Sequence, residues 1–249
     1  MDLGIANRRA AVAAGSAGLG LATACALAAE GVSVAICGRD RGRIDAALAE
    51  LGPSARGIVA DLSDPEEATR FAIEAAAALG GHLDIVVANA GGPPPGAAST
   101  TAMSDYRAAI EMNCLSTIAL CNEAVGPMRA AGWGRVLAIT SIGARQPIPF
   151  LAASTAARAA TTAFIKTLAT EIAPDGVTAN TIQPGSHDTD RIRKLAGSQS
   201  DRLRAEIPVG HLGDPADFGS IAAFLCSAQA GFITGASLIV DGGASRGLQ

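Results

Sequence analysis

Short apolar runs bounded by turn residues alternate with longer alanine-rich segments, and six successive runs end on a glycine or polar residue out of keeping with the strand before it. Such alternation is what right-handed βαβ units and a parallel sheet require. The pattern predicts seven strands: Ala10 to Ala14, Val32 to Cys37, Gly57 to Ala60, Leu83 to Ala88, Arg135 to Thr140, Val177 to Ile182 and Ser237 to Val240. Helices are expected near 18–30, 41–51, 64–79, 104–131, 150–173 and 214–228. The run Ile85-Val86-Val87-Ala88 is continuously apolar rather than alternating, as a strand covered on both faces should be. The expectation is a three-layer Rossmann α/β fold, a seven-stranded parallel sheet with helices on both faces, in one domain spanning 1–249.

Composition narrows the partners. Aromatic residues make up only 3% of the chain against 49% hydrophobic, so Ala, Val, Ile and Leu must fill the core. A net charge of −4 with no Lys/Arg run argues against a nucleic-acid partner. The cysteines Cys25, Cys37, Cys114, Cys121 and Cys226 show neither CxxC nor Cys/His ligand spacing, so no metal site is expected and the thiols suit a reducing, cytoplasmic setting. The uncharged stretch Ala10 to Ala29 is broken by Gly15, Gly18 and Gly20 and reads as strand, turn and helix, so no membrane span is expected.

In open parallel sheets, ligands bind beyond the carboxyl ends of the strands. The residues there are Gly15 to Gly20, Arg39, Asp61, Asn89-Ala90-Gly91, Ser141 and Pro184-Gly185. The segment Gly15-Ser16-Ala17-Gly18-Leu19-Gly20 leads from the first strand into a helix, where glycines admit a diphosphate to the helix amides. A GxxGxG spacing alone is a weak signal; its position after the first strand strengthens it.

On these motifs the chain resembles the short-chain dehydrogenase/reductase family over nearly its whole length, and especially its 3-oxoacyl-carrier-protein reductase-like branch. The family's TGxxxGxG appears with Ala13 and Ala14 at its first two positions and with Gly18 and Gly20 matching. Ala14 puts a methyl group where backbone freedom is needed, and Gly15 beside it is expected to relieve the strain. The resemblance implies that Asp61-Leu62 lie beside an adenine and that Asn89-Ala90-Gly91 support the sheet and a cofactor ribose. Ile233-Thr234-Gly235 and Val240-Asp241-Gly242-Gly243 resemble the closing motif. An acidic residue after strand two would select NAD; Cys37-Gly38-Arg39 stands there instead. A guanidinium matches a 2′-phosphate, so NADP(H) is favoured, with NAD as the alternative. The competing reading pairs Arg39 with Asp40 or with solvent.

The family's active site is an Asn, Ser, Tyr, Lys constellation. Aligning Lys166-Thr167-Leu168-Ala169 with its helix pattern puts Ser154 at the tyrosine and Arg158 at the lysine; Ser141 and Asn113 match the other two. A serine hydroxyl is a poor acid, and Arg158 can hold charge but cannot relay a proton. Tyr106, the sole tyrosine, does not align with the site and reads as surface or interface packing. His187, beyond strand six, is one candidate proton source, against an ordinary loop histidine.

Ser186 to Pro208 form a charged insertion that the resemblance makes a substrate lid, and that reads equally as a solvated helical excursion. Gly92-Pro93-Pro94-Pro95-Gly96 makes a second, rigid rim. The resemblance also implies a homodimer or homotetramer through the alanine-rich helices, although Ala152, Ala153, Ala156, Ala157, Ala159 and Ala160 could equally serve internal packing. The leading function is an NADP-dependent oxidoreductase acting on a small carbonyl, alcohol or enoyl compound with a non-standard proton donor. Two others stay open: a non-catalytic dinucleotide sensor, and a non-redox lyase of the same fold.

Overall fold

In the computed structural model, which describes residues 2–197 and 200–247, all seven expected strands form one parallel sheet in the order β3-β2-β1-β4-β5-β6-β7. The strands are β1 (Arg9–Val12), β2 (Ser33–Gly38), β3 (Arg56–Val59), β4 (Ile85–Ala88), β5 (Gly134–Ile139), β6 (Val177–Pro184) and β7 (Ser237–Val240). Chain order reverses between β1 and β4, which opens a crevice beyond their carboxyl ends. This is the Rossmann arrangement.

Helices α1 (Gly18–Ala29), α2 (Arg41–Leu51) and α9 (Pro215–Leu225) cover one face; α3 (Pro65–Ala78), α5 (Ser116–Ala131) and α6 (Ala152–Ile172) cover the other. Strand β4 shows why its sequence runs apolar without a break. Ile85 and Val87 pack toward Leu27 and Phe218, while Val86 and Ala88 pack toward Phe71, Leu120 and Ile165, so both faces are dry. Helices α2, α3 and α9 start on the carboxylates of Asp40, Asp64 and Asp214, each accepting from a first-turn amide. Asp64 and Asp214 are each followed by a proline at the first helical position.

One expected element needed revision. The helix expected over 104–131 is three pieces: α4 (Met103–Ile110), a π-helical turn (Glu111–Leu115) and α5. The insertion after β6 is partly helical, as α7 (Asp190–Ala196) and α8 (Ser200–Ala205). Of the small residues on α6, Ala153 and Ala157 are buried beneath Tyr106, Ala109 and Ile110 of α4, so they serve packing within the chain, whereas Ala156 stays exposed. Four of the five cysteines are buried and all are free; burial pushes the thiols of Cys37, Cys121 and Cys226 up to about 12, which makes them inert. Among the described residues no helix is long and apolar enough to cross a membrane, and no cluster of His, Cys, Asp and Glu could hold a metal ion.

Candidate active site

The loop between β1 and α1 leaves the helix start open. Ala17 at the N-cap has no side-chain oxygen, so the first amides of α1 keep their donors for an anion. Gly18 takes a left-handed φ of +57°, and a Cβ on Gly20 would lie 2.4 Å from the Ala14 carbonyl oxygen and 2.7 Å from Asn89 Nδ2. That close approach lets Asn89 donate to the Ala14 carbonyl at 3.4 Å and tie the β4 end to the loop. Gly15 does not relieve Ala14. Ala14 itself sits at φ +47°, and Gly15 is glycine for space, since a Cβ there would come within 2.8 Å of Ile36 Cγ2. These residues suit a diphosphate.

At the end of β2, Arg39 is exposed and forms no pair with Asp40, whose carboxylate is committed to the Arg43 amide at 2.9 Å. Ser16 folds toward this point, because a Cβ on Gly38 would lie 2.5 Å from Ser16 Oγ. Arg43, absent from the sequence reading, shares with Ser16 and Gly18 a surface groove of about 700 Å³ over α1. Its signal was available: it lies four residues after Arg39, in the first turn of a helix. Asp61 Oδ1 accepts from the Ser63 amide at 3.1 Å. The Leu62 side chain is 7% exposed and packs into the core with Phe71, leaving only its backbone to face a ligand.

Four residues converge at the end of β5. Ser141 Oγ accepts from the Gly143 amide at 3.0 Å, which leaves its own hydrogen to donate. Arg158 reaches across from α6 and gives Nη1 to the carbonyls of Ile139 at 3.0 Å and Thr140 at 2.7 Å, and Nε to Ser154 Oγ at 3.3 Å. Burial, with the charge of Arg191, pulls the Arg158 pKa down to about 10, so it remains a cation at neutral pH. Asn113 sits in the π turn, where its backbone carbonyl accepts from Thr117 and, across to α6, from Thr161. Such turns concentrate at functional sites. Asn113, Arg158, Thr140, Asn89 and Ala90 border a cavity of about 10 Å³, and Asn113 Oδ1 and Thr140 Oγ1 have no partner among the described residues. The space and polarity suit one water.

Pro184-Gly185 is fixed by the closing motif: Gly185 donates to the Val240 carbonyl at 2.8 Å, and a Cβ on it would meet Asp241 Cβ at 2.6 Å. Beyond it, Thr189 caps α7 and comes within 3.7 Å of where a Gly18 Cβ would be, bringing the start of α7 over the start of α1. Thr189 and Arg191 both lie in the Ser186 to Pro208 insertion, where sequence reasoning assigned neither of them a role of its own. Arg191 donates to the carbonyls of Gly92 at 3.0 Å and Pro93 at 3.4 Å, 98 to 99 residues away, a closure with no local signal. The rim segment is also clipped to the start of α6: the Gly96 amide donates to the Phe150 carbonyl at 2.7 Å.

His187 is not placed to give a proton to substrate. Its ring is 4% exposed, meets Phe218 edge-on at 5.0 Å and packs on Gly213, and burial holds its pKa below the ordinary value. Tyr106 packs within the chain on α6, with its hydroxyl 3.5 Å from the Ala98 carbonyl.

A reversed-order parallel sheet, an open helix start over a close-packed glycine and a serine–arginine pair at the end of β5 define a dinucleotide-binding oxidoreductase scaffold, and the comparisons agree. The family model described as enoyl-(acyl carrier protein) reductase matches residues 13–245. The chain is 32% identical over 234 residues to the 3-oxoacyl-[acyl-carrier-protein] reductase of Escherichia coli (strain K12), covering 94% of this chain and 96% of that one. It is 31% identical over 247 residues to dehydrogenase/reductase SDR family member 4 of Sus scrofa, covering 96% and 88%. Among solved structures, L-sorbose reductase from Gluconobacter frateurii, complexed with NADPH and L-sorbose, superimposes with a TM-score of 0.92 at 28% identity over the whole of both chains. The chain belongs to the short-chain dehydrogenase/reductase family.

Proposed function

We propose that this protein is an NADP(H)-dependent oxidoreductase of a small carbonyl, alcohol or enoyl compound, in which Arg158 and Ser141 hold the developing oxyanion and solvent supplies the proton. The observation that carries it is the Arg158 guanidinium, anchored on two β5-end carbonyls and bonded to Ser154 beside Ser141.

Gly15, Ser16, Gly18, Leu19 and Gly20 would hold the diphosphate through backbone amides. Asn89, Ala90, Gly91, Pro184 and Gly185 would border the nicotinamide half, with Asp61 and the Leu62 backbone near the adenine. Ser16, Arg39 and Arg43 would meet the 2′-phosphate, and the NADPH in the L-sorbose reductase complex supports that preference. When bound, the nicotinamide supplies or takes up the hydride.

Ser141 then donates its free hydrogen to the substrate oxygen, and Arg158, still charged at neutral pH, stabilises the negative charge that grows there. Water protonates the resulting alkoxide or enolate, and bulk buffer makes good the proton. Oxyanion stabilisation of this kind is worth roughly 10²–10³ in rate, whereas a lost general acid forfeits roughly 10²–10⁴. The arrangement keeps the first contribution without the second. Asn113 acts as a positioning residue, joining the π turn to α6 through Thr161. A homodimer or homotetramer is also proposed; the exposed Phe224, Phe232 and Leu238 offer it apolar surface, and light scattering on a sizing column would measure it.

Fluorescence titration with NADPH and NADH, followed by absorbance at the reduced-nicotinamide band with ketones, oxo acids and enoyl thioesters, tests the reading. Tighter NADPH binding and oxidation by at least one class are expected. Binding without turnover would make the protein a sensor, and absence of binding would end the oxidoreductase assignment.

A further inference from the structure

The β5–β6 ladder is one hydrogen bond short where it reaches the site, and a side chain fills the gap. Ile139 lies opposite Ile182, and the Thr140 amide donates to the Ile182 carbonyl at 2.9 Å, so residue 182 turns its backbone groups toward β5. Residue 185 turns the other way, its amide donating to the Val240 carbonyl at the end of β7 at 2.8 Å. Successive strand residues alternate between their two neighbours, so the backbone nitrogen of residue 184 faces β5, and its ladder acceptor is the Thr140 carbonyl. That residue is Pro184, which has no hydrogen to donate.

A strand-end carbonyl within the fold needs a donor. It finds one on α6: Arg158 Nη1 donates to Thr140 at 2.7 Å and to Ile139 at 3.0 Å, and Nε donates to Ser154 Oγ at 3.3 Å. The Ile139 carbonyl is open for a different reason, because β4 ends at Ala88, whose register partner Ala138 stops one residue short. Two unpaired carbonyl dipoles thus form a socket for the cation. With Nη1 and Nε committed, Nη2 alone has no acceptor among the described residues. The socket decides which edge of the guanidinium is left for a ligand.

We propose that Pro184 is a positioning residue for Arg158: by withholding the amide hydrogen that the ladder calls for, it leaves the Thr140 carbonyl to the guanidinium and so fixes the edge that Arg158 turns to the substrate oxygen. The catalytic consequence rests on the oxidoreductase reading; the socket itself does not. A carbonyl oxygen has two lone pairs, so an amide at position 184 would not expel the arginine outright. It would draw the carbonyl toward the plane of the sheet, away from α6, and loosen the anchor.

The test is a double-substitution cycle on the full chain: Pro184→Ala, Arg158→Met and the two together. What the proline ring contributes to strand stiffness or to the nicotinamide is lost equally with and without Arg158, so the coupling alone reads the socket. Pro184→Ala should lower the thermal midpoint of the native chain, and in Arg158→Met it should lower it less or raise it, because the new amide finds the Thr140 carbonyl unclaimed. By hydrogen exchange that amide should be at least about tenfold better protected in the double variant than in Pro184→Ala alone. On the best substrate Pro184→Ala should lower kcat about tenfold through misplacement of Arg158, against no more than about twofold in Arg158→Met. Additive midpoints, equal exchange in both backgrounds or an equal loss of kcat in both would overturn the proposal and leave Pro184 as a strand end. Should Arg158→Met fail to fold, Arg158→Lys takes its place, keeping the charge while losing the fork, with the same sign of coupling expected. The midpoint and exchange arms need no turnover. A chain that binds no NADPH would end the oxidoreductase reading, while those two arms would still uphold or remove the socket.

Discussion

Arg158 donates from Nε to Ser154 Oγ at 3.3 Å, so the two residues that we propose stand in place of the family's lysine and tyrosine form a hydrogen-bonded pair of their own. The guanidinium is anchored independently on the Ile139 and Thr140 carbonyls, so it does not depend on Ser154 for its position. Ser154→Ala should therefore lower kcat by less than about tenfold, well short of the 10²–10⁴ that loss of a general acid brings. Steady-state kinetics on the best substrate decides it. A loss beyond about a hundredfold would return the proton-transfer role to Ser154.

Arg39 is exposed at the end of β2 and free of Asp40, whose carboxylate caps α2. Arg39→Asp removes a phosphate donor and adds a charge that repels a 2′-phosphate. The NADPH dissociation constant should rise at least tenfold while that for NADH falls or holds, read by fluorescence titration. An unchanged ratio of the two would place the phosphate elsewhere, with Arg43 the next residue to replace.

Ala14 occupies the left-handed region at φ +47°, a conformation that costs an alanine roughly 1–2 kcal/mol. Ala14→Gly removes that strain and gives back about 0.5–1 kcal/mol through the freer unfolded chain. The net gain should be up to about 1 kcal/mol, a rise of roughly 2–4 °C in thermal midpoint for a chain of this size. A lower midpoint in calorimetry would mean that the alanine methyl contributes packing that outweighs the strain.

The sheet was legible because a dry, two-faced strand such as β4 can be written only as an unbroken apolar run, and the cleft was legible because its residues fall at strand ends. What escaped depends on contacts distant in sequence. Ala13 and Ala14 were counted into β1, yet only the Ala13 amide continues the ladder, to Val87, before the chain turns. The π turn around Asn113 leaves the helical periodicity nearly intact, so 104–131 read as one helix. Arg191 and Thr189 join the site only when α7 folds back onto Gly92 and Gly18. His187 stood at the right end of β6, but its side faces Phe218 and Gly213, and no local pattern shows which way a loop side chain turns.

That buried ring gives the protein an acid-sensitive element. Burial depresses the His187 pKa below its ordinary 6.5, with partial opposition from the Gly185 carbonyl and Asp214. Above pH 6.5 the ring is neutral in both folded and unfolded chains and contributes no pH dependence. As pH falls through 6.5 the unfolded chain takes up a proton that the folded one still refuses, so stability drops, by up to about 1.4 kcal/mol per pH unit until the folded value is reached. His187→Gln removes the titration. Between pH 7.5 and 5.5 the unaltered protein should lose more in thermal midpoint than the variant. Parallel losses would mean that His187 is protonated as readily in the fold as out of it, and the packing against Phe218 would have to be loose enough to admit water.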